Sequence, residues 1–170
     1  MASFCFLKCR RWLAYHLFRP HRKGFGIHSP FVYRLTRDLF HKTRISNTYG
    51  SDLIRRLTTW YGMSASCALP PGPDASRPDG PVCYYNAAHT SVSRALQGFA
   101  PERCRTLDVI VLSGIYRSRD DYAAWQALLQ DPHITASVDL YETGLVFFDE
   151  RLSCQHFTVY APHRLTQCPA

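Results

Sequence analysis

This 170-residue chain has no glycine-rich loop. Its single G-x-G, Gly24-Phe25-Gly26, has neither a strand before it nor a third glycine, so a sharp turn is expected there rather than a phosphate cradle. None of its seven cysteines forms a C-x-x-C pair. Cys5, Cys9, His16 and His21 are wrongly spaced for a zinc finger, so no metal site is expected. No G-x-S-x-G nucleophile elbow occurs. Nor is there an apolar run long enough for a signal peptide or a membrane span, because Lys8, Arg10 and Arg11 break up Phe4, Phe6 and Leu7. A cytoplasmic protein with reduced thiols is therefore expected, with Cys83 serving as a small hydrophobe in its apolar run. Hydrophobic periodicity fails at Leu69–Pro81 (LPPGPDASRPDGP), in the middle of the chain, where a nucleotide-binding α/β domain keeps a buried strand and its glycine loop.

Acids are scarce at one end. Residues 1–44 hold ten Lys or Arg against the single acid Asp38, while the rest holds ten bases against twelve acids. The net charge of +7 thus sits on an arm, residues 1–23, ahead of a nearly neutral domain at 24–162 and a tail at 163–170. Such an arm favours phosphates, on nucleic acid or on lipid headgroups, through Lys8, Arg10, Arg11, Arg19, Arg22 and Lys23. At 46% hydrophobic content and 14% aromatics, the chain can bury a core.

Periodicity predicts the elements. A helix over 3–19 presents Phe6, Trp12, Leu13, Leu17 and Phe18 on one face, packed on the domain or laid on a membrane surface. Ser29 is a good cap and Pro30 a good first residue for a helix to His41, with Phe31, Leu35 and Leu39 inward. A second helix runs from Ser51 to Tyr61. Val82–Tyr85 reads as a buried strand, Thr90–Phe99 as a helix, and Leu107–Leu112 as the strongest buried strand. Ser118 starts a helix to about Gln130, with Asp120 and Asp121 at its positive end and Tyr122, Trp125 and Leu129 inward. Ile134–Leu140 alternates apolar and polar, as a strand covered on one face does. A turn at Glu142–Gly144 leads into Leu145–Phe148, and His156–Tyr160 adds a strand. The fold class is α/β, with helices covering a mixed sheet.

In open α/β sheets, ligands bind beyond the carboxyl ends of strands, here at Asn86-Ala87 and Ser113-Gly114. These residues offer no carboxylate for a divalent cation or a ribose diol. His28 and His89 lie at helix mouths, where a capping role is expected before a catalytic one.

Several blocks together resemble one family. GFGIHSPFVYRL (Gly24–Leu35) is similar to the N-terminal signature of a group of bacterial class I SAM-dependent methyltransferases, and Asp131–Phe157 is similar to that group's closing hairpin and Q-H-F tail. YYNAAH (Tyr84–His89) and VIVLSGIYRS (Val109–Ser118) resemble the ends of its fourth and fifth strands, and Trp125 matches a family tryptophan. The resemblance implies a truncated Rossmann-like methyltransferase sheet that ends in an antiparallel hairpin. It also shows what is missing. The segment from Tyr61 to Val82 is too short for the first three strands with their SAM loop. Asn86 stands for the fourth-strand acid, and Ser113 and Gly114 stand for the paired acids of the fifth.

The reading that follows is a methyltransferase-like protein that binds no cofactor and works as a binding or scaffold subunit, with Asn86, His89, Ser113 and Gly114 as a vestigial site. Loss of three strands leaves a sheet edge, which a second copy or a full-length relative would cover. One alternative is a minimal enzyme that holds SAM near Asn86, His89, Ser113 and Tyr116, with His89 or Tyr116 as base. Another is a basic module on a membrane surface or on RNA.

Overall fold

The computed structural model describes residues 2–19, 26–40, 49–66, 80–86, 90–152 and 154–160. Helices α1 (Ala2–Phe18), α2 (Pro30–Leu35) and α3 (Tyr49–Tyr61) precede strands β1 (Ser64–Ser66) and β2 (Val82–Tyr85). Then come α4 (Val92–Ala95), β3 (Val109–Ser113), α5 (Arg119–Leu128), β4 (Ala136–Asp139), β5 (Thr143–Phe147) and β6 (Gln155–Thr158). The strands form one mixed sheet in the order β1-β2-β3-β5-β4-β6. Only β5 runs against the others, pairing antiparallel with β3 and β4. The remaining pairs, β1–β2, β2–β3 and β4–β6, are parallel. Five strands therefore bring their carboxyl ends to one rim.

Both faces are covered. On one, Leu35, Leu53 and Leu57 of α2 and α3, with Leu39 and Phe40 of the π-helical turn that continues α2, pack on Cys83, Val109, Val111, Val138, Leu145 and Phe147. On the other, Val92, Trp125 and Leu128 of α4 and α5 pack with Tyr15 of α1 on Val82, Tyr84, Ile110, Leu112 and Val146. With both faces buried, β2 and β3 are almost wholly apolar, as central parallel strands are.

Side-chain hydrogen bonds set where the elements start. The Ser29 Oγ accepts from the Val32 N–H at 3.4 Å, with Pro30 in the first turn. The Ser118 Oγ accepts from the Asp121 N–H at 3.1 Å and donates to Asp121 Oδ2 at 2.8 Å. Asp121 does more than complement the dipole. It is buried, and its Oδ1 accepts from the backbone and hydroxyl of Ser93, tying α4 to α5.

Several expectations are corrected. The helix expected over Thr90–Phe99 is only Val92–Ala95, capped by Ser91 and ended by the left-handed Gly98 (φ 73°). Strand β3 starts two residues later than Leu107, because Asp108 turns inward to accept from the Val82 and Arg105 N–H groups, leaving Leu107 exposed. The alternating strand is not covered on one face only, since Ser137 and Asp139 are as buried as Ala136 and Val138. The hairpin turns at Tyr141 (φ 73°), ahead of Gly144, which lies inside β5. The absence of a side chain at Gly144 lets the Trp125 ring lie on the sheet, where a Cβ would come within 2.6 Å of it.

Strand β1 was not expected. Its three small residues carry no hydrophobic pattern, and pairing with Val82–Tyr84 defines it. It pairs with the edge of β2, so among the described residues β1 is the outer strand on that side of the sheet. Helix α1 packs on the domain with only Trp12 of its expected face, joined there by Tyr15. Tyr15 is buried and Trp12 half-buried, while Phe6 (71% exposed), Leu13, Leu17 and Phe18 (81%) face outward. The Leu69–Pro81 stretch, apart from Gly80 and Pro81, lies outside the described residues, as do His21, Arg22, Lys23 and residues 161–170. Among the described residues, no helix is long and apolar enough to cross a membrane.

Candidate functional site

The rim holds Asn86, Ser113, Gly114 and Tyr116, and the structure ties two of them to each other. The Asn86 Oδ1 accepts from the Ser113 N–H at 2.8 Å, and its Nδ2 donates to the Ser113 carbonyl at 3.0 Å and the Thr90 carbonyl at 2.9 Å. The Asn86 side chain thus extends the β2–β3 ladder one step beyond the strands. The Gly114 N–H donates to the Glu142 carbonyl at 2.6 Å. Gly114 is left-handed (φ 83°) and lies against the Arg117 guanidinium, which a Cβ would meet at 2.8–3.0 Å. His89 lies outside the described residues. His28 is exposed beside the Ser29 cap.

Tyr116 turns to the other side of the rim. Its hydroxyl donates to Asp139 Oδ2 at 2.6 Å, and its ring stacks between Tyr122 and Tyr141, each 5.3 Å away. Sequence reasoning missed Asp139, the last residue of β4, by sending the polar face of its strand to solvent. Its Oδ1 accepts from the Tyr141 N–H at 2.7 Å. Burial pushes its carboxyl up to about 6, against the Tyr141 N–H and the nearby Arg11 charge, which pull it down. The rim therefore does carry a carboxylate, one strand pair away from where it was sought. The available signal was the D-L-Y step, in which a lone acid enters an apolar turn.

Helix α1 crosses this end of the sheet. The Arg11 Nη1 donates to the Tyr116 hydroxyl and lies 3.7 Å from Asp139 Oδ2. The Arg11 guanidinium sits over the Tyr116 and Tyr122 rings, 5.2 and 5.4 Å from their centres. The Tyr15 hydroxyl donates to the Val159 carbonyl at 3.0 Å. His16 lies among the rings of Trp12, Tyr15, Tyr141 and Tyr160, where burial, aided by Arg19 and opposed by Glu142, lowers its pKa. A cavity of about 240 Å³ opens between Tyr15, Tyr116, Tyr141, Asp139 and Arg11.

The phosphate-binding set proposed for the arm is thereby divided. Arg11 is engaged with Asp139 and Tyr116, and Arg19 lies over the Tyr160 ring at 5.6 Å. Lys8 and Arg10 instead line a groove of about 1100 Å³ with Arg117 and Arg119 of the rim, floored by Phe4 and Tyr122. The cysteines described, Cys5, Cys9, Cys83, Cys104 and Cys154, are free. Burial pushes the Cys83 thiol up to about 12, so it stays protonated inside the core. Among the described residues, no group of three or more His, Cys, Asp or Glu is arranged to hold a metal ion.

No protein-family model matches the chain, and no curated protein and no solved structure matches it either.

Proposed function

We propose that this chain is a class I methyltransferase-like protein whose rim no longer serves SAM and which works by binding. One observation carries the reading. The donors that the ends of β2 and β3 would turn toward a nucleoside are already engaged within the fold: the Asn86 amide and the Ser113 N–H with each other's strand, and the Gly114 N–H with Glu142. Freeing any of them for a ligand would leave a polar partner unsatisfied, at a cost of about 1–3 kcal/mol each. A single antiparallel strand, β5, set between β3 and β4 of an otherwise parallel sheet supports the likeness to the family. Isothermal titration of the full-length protein with SAM and with S-adenosylhomocysteine should give no binding heat. Micromolar affinity for either would establish the enzyme alternative, with Tyr116 and His89 as its first candidates.

A second reading concerns what it binds, and the outward face of α1 favours it. Phe6, Leu13, Leu17 and Phe18 form an exposed apolar stripe beside the groove that gathers Lys8, Arg10, Arg117 and Arg119. Leu13 and Leu17 gain nothing from RNA, whereas all four side chains gain free energy on entering a bilayer interface, where each basic residue near an anionic surface adds about 1 kcal/mol. The full chain should float with vesicles containing phosphatidylserine and not with phosphatidylcholine alone, and Leu17→Asp with Phe18→Asp should abolish flotation. Equal recovery on both vesicles, or a salt-dependent RNA shift without flotation, would refute this.

A further inference from the structure

Tyr15, Tyr116 and Tyr141 surround the cavity at the carboxyl ends of β3, β4 and β6, and Asp139 closes one wall. We propose that this cavity is a binding site for an organic cation of the guanidinium or alkylammonium class, and that Arg11 fills its charged position in the state seen here. The site is distinct from the Asn86–Ser113 clasp, and the proposal holds whether or not SAM binds there.

The first support is the carboxylate. Asp139 is buried, and it accepts one hydrogen bond at each oxygen, from the Tyr141 N–H at 2.7 Å and the Tyr116 hydroxyl at 2.6 Å. A carboxylate has about four acceptor positions, so each oxygen retains one for an incoming N–H. Arg11 does not take them. Its Nη1 bonds to the Tyr116 hydroxyl and stands 3.7 Å from Asp139 Oδ2, which makes an ion pair without a hydrogen bond.

The second support is the aromatic wall. Tyr116 and Tyr141 stack at 5.3 Å with ring planes 16° apart, and Tyr15 meets Tyr141 at 5.4 Å. Ring faces attract a desolvated cation, and a buried carboxylate beside them rejects anions and pairs with a positive charge. The guanidinium of Arg11 over the Tyr116 ring, 5.2 Å from its centre, shows the kind of group this wall accepts.

The third is incomplete filling. The Arg11 side chain remains 40% exposed while about 240 Å³ stays open beside it, so it occupies the charged position without sealing the cavity. Arg11 belongs to α1 rather than to the sheet, so a cation from solution would compete with it for Asp139.

Ethylguanidinium, the end of an arginine side chain, is the probe. The full-length wild type, Arg11→Ala and the double variant Arg11→Ala/Asp139→Asn would be titrated with it at constant ionic strength, followed by ligand-observed NMR and tyrosine fluorescence. Arg11→Ala should bind it saturably and about tenfold or more tighter than wild type, because the internal competitor is gone. The double variant should lose that gain. If Arg11→Ala does not fold, Arg11→Met keeps the apolar stem on the rings and carries the same expectation. A folded Arg11 variant that binds no tighter than wild type would overturn the proposal, and so would a double variant that binds equally well.

Discussion

The packing of one face depends on a residue with no side chain. Trp125 is fully buried and lies across β5 at Gly144, where a methyl group would come within 2.6 Å of the ring. The neighbouring atoms are a fused aromatic system held by the core, so the clash cannot be relieved by a flexible chain end. Gly144→Ala should destabilise the fold by about 2 kcal/mol, lowering the thermal midpoint in circular dichroism by about 4–8 °C. Pairing it with Trp125→Phe should give a smaller loss than the two single changes added together. An unchanged midpoint in Gly144→Ala would show that Trp125 does not rest on this strand in solution.

At the scale of elements, what sequence revealed and what it hid have separate physical causes. Val82–Tyr85 is legible because a continuous apolar run after Pro81 leaves the backbone nothing better than a buried ladder. The starts of α2 and α5 are legible because Ser29-Pro30 and Ser118 with Asp121 carry their own hydrogen-bond partners. Strand β1 is hidden because Ser64-Ala65-Ser66 has no pattern of its own and is defined by the strand it meets. The inner face of α1 is hidden because the helix is apolar on two sides. The pattern groups Trp12 with Phe6, Leu13, Leu17 and Phe18, whereas the domain buries the side that carries Trp12 and Tyr15. The environment of Asp139 is hidden for the same reason. Period-two alternation sends it to solvent, but Tyr116 and α1, distant in sequence, roof it over. The positions of Asn86, Ser113, Gly114 and Tyr116 at or just past the ends of β2 and β3 were legible, and the hydrogen bonds they make were not.

At the scale of the whole molecule, Asp139 links stability to pH. Its carboxyl ordinarily titrates near 3.8 and burial raises it to about 6 in the fold. Between those values the folded protein keeps a proton that the unfolded chain has released, so the contribution of Asp139 rises as pH falls from neutrality through 6 toward 4, while His16, whose pKa burial lowers from 6.5, contributes with the opposite sign. Asp149, whose pairing with Arg151 lowers its pKa, acts only below that window, where its protonation removes stability. Urea unfolding at about pH 4.5 and about pH 7.5 should show wild type gaining on the order of 2 kcal/mol relative to Asp139→Asn at the lower value. A difference between the two proteins that does not change with pH would place Asp139 in a wetter setting than this cavity.

Two side chains, Asp108 at one end and Asn86 at the other, fasten β2 to β3. The alignment of the central strands is therefore written at their tips and owes nothing to how many residues the chain uses to travel between them. Insertions at the exposed Gln97-Gly98 turn, ahead of Phe99, Pro101 and Cys104 that pack inward, should leave the two strands in step, which makes that turn a natural place to lengthen or label the protein.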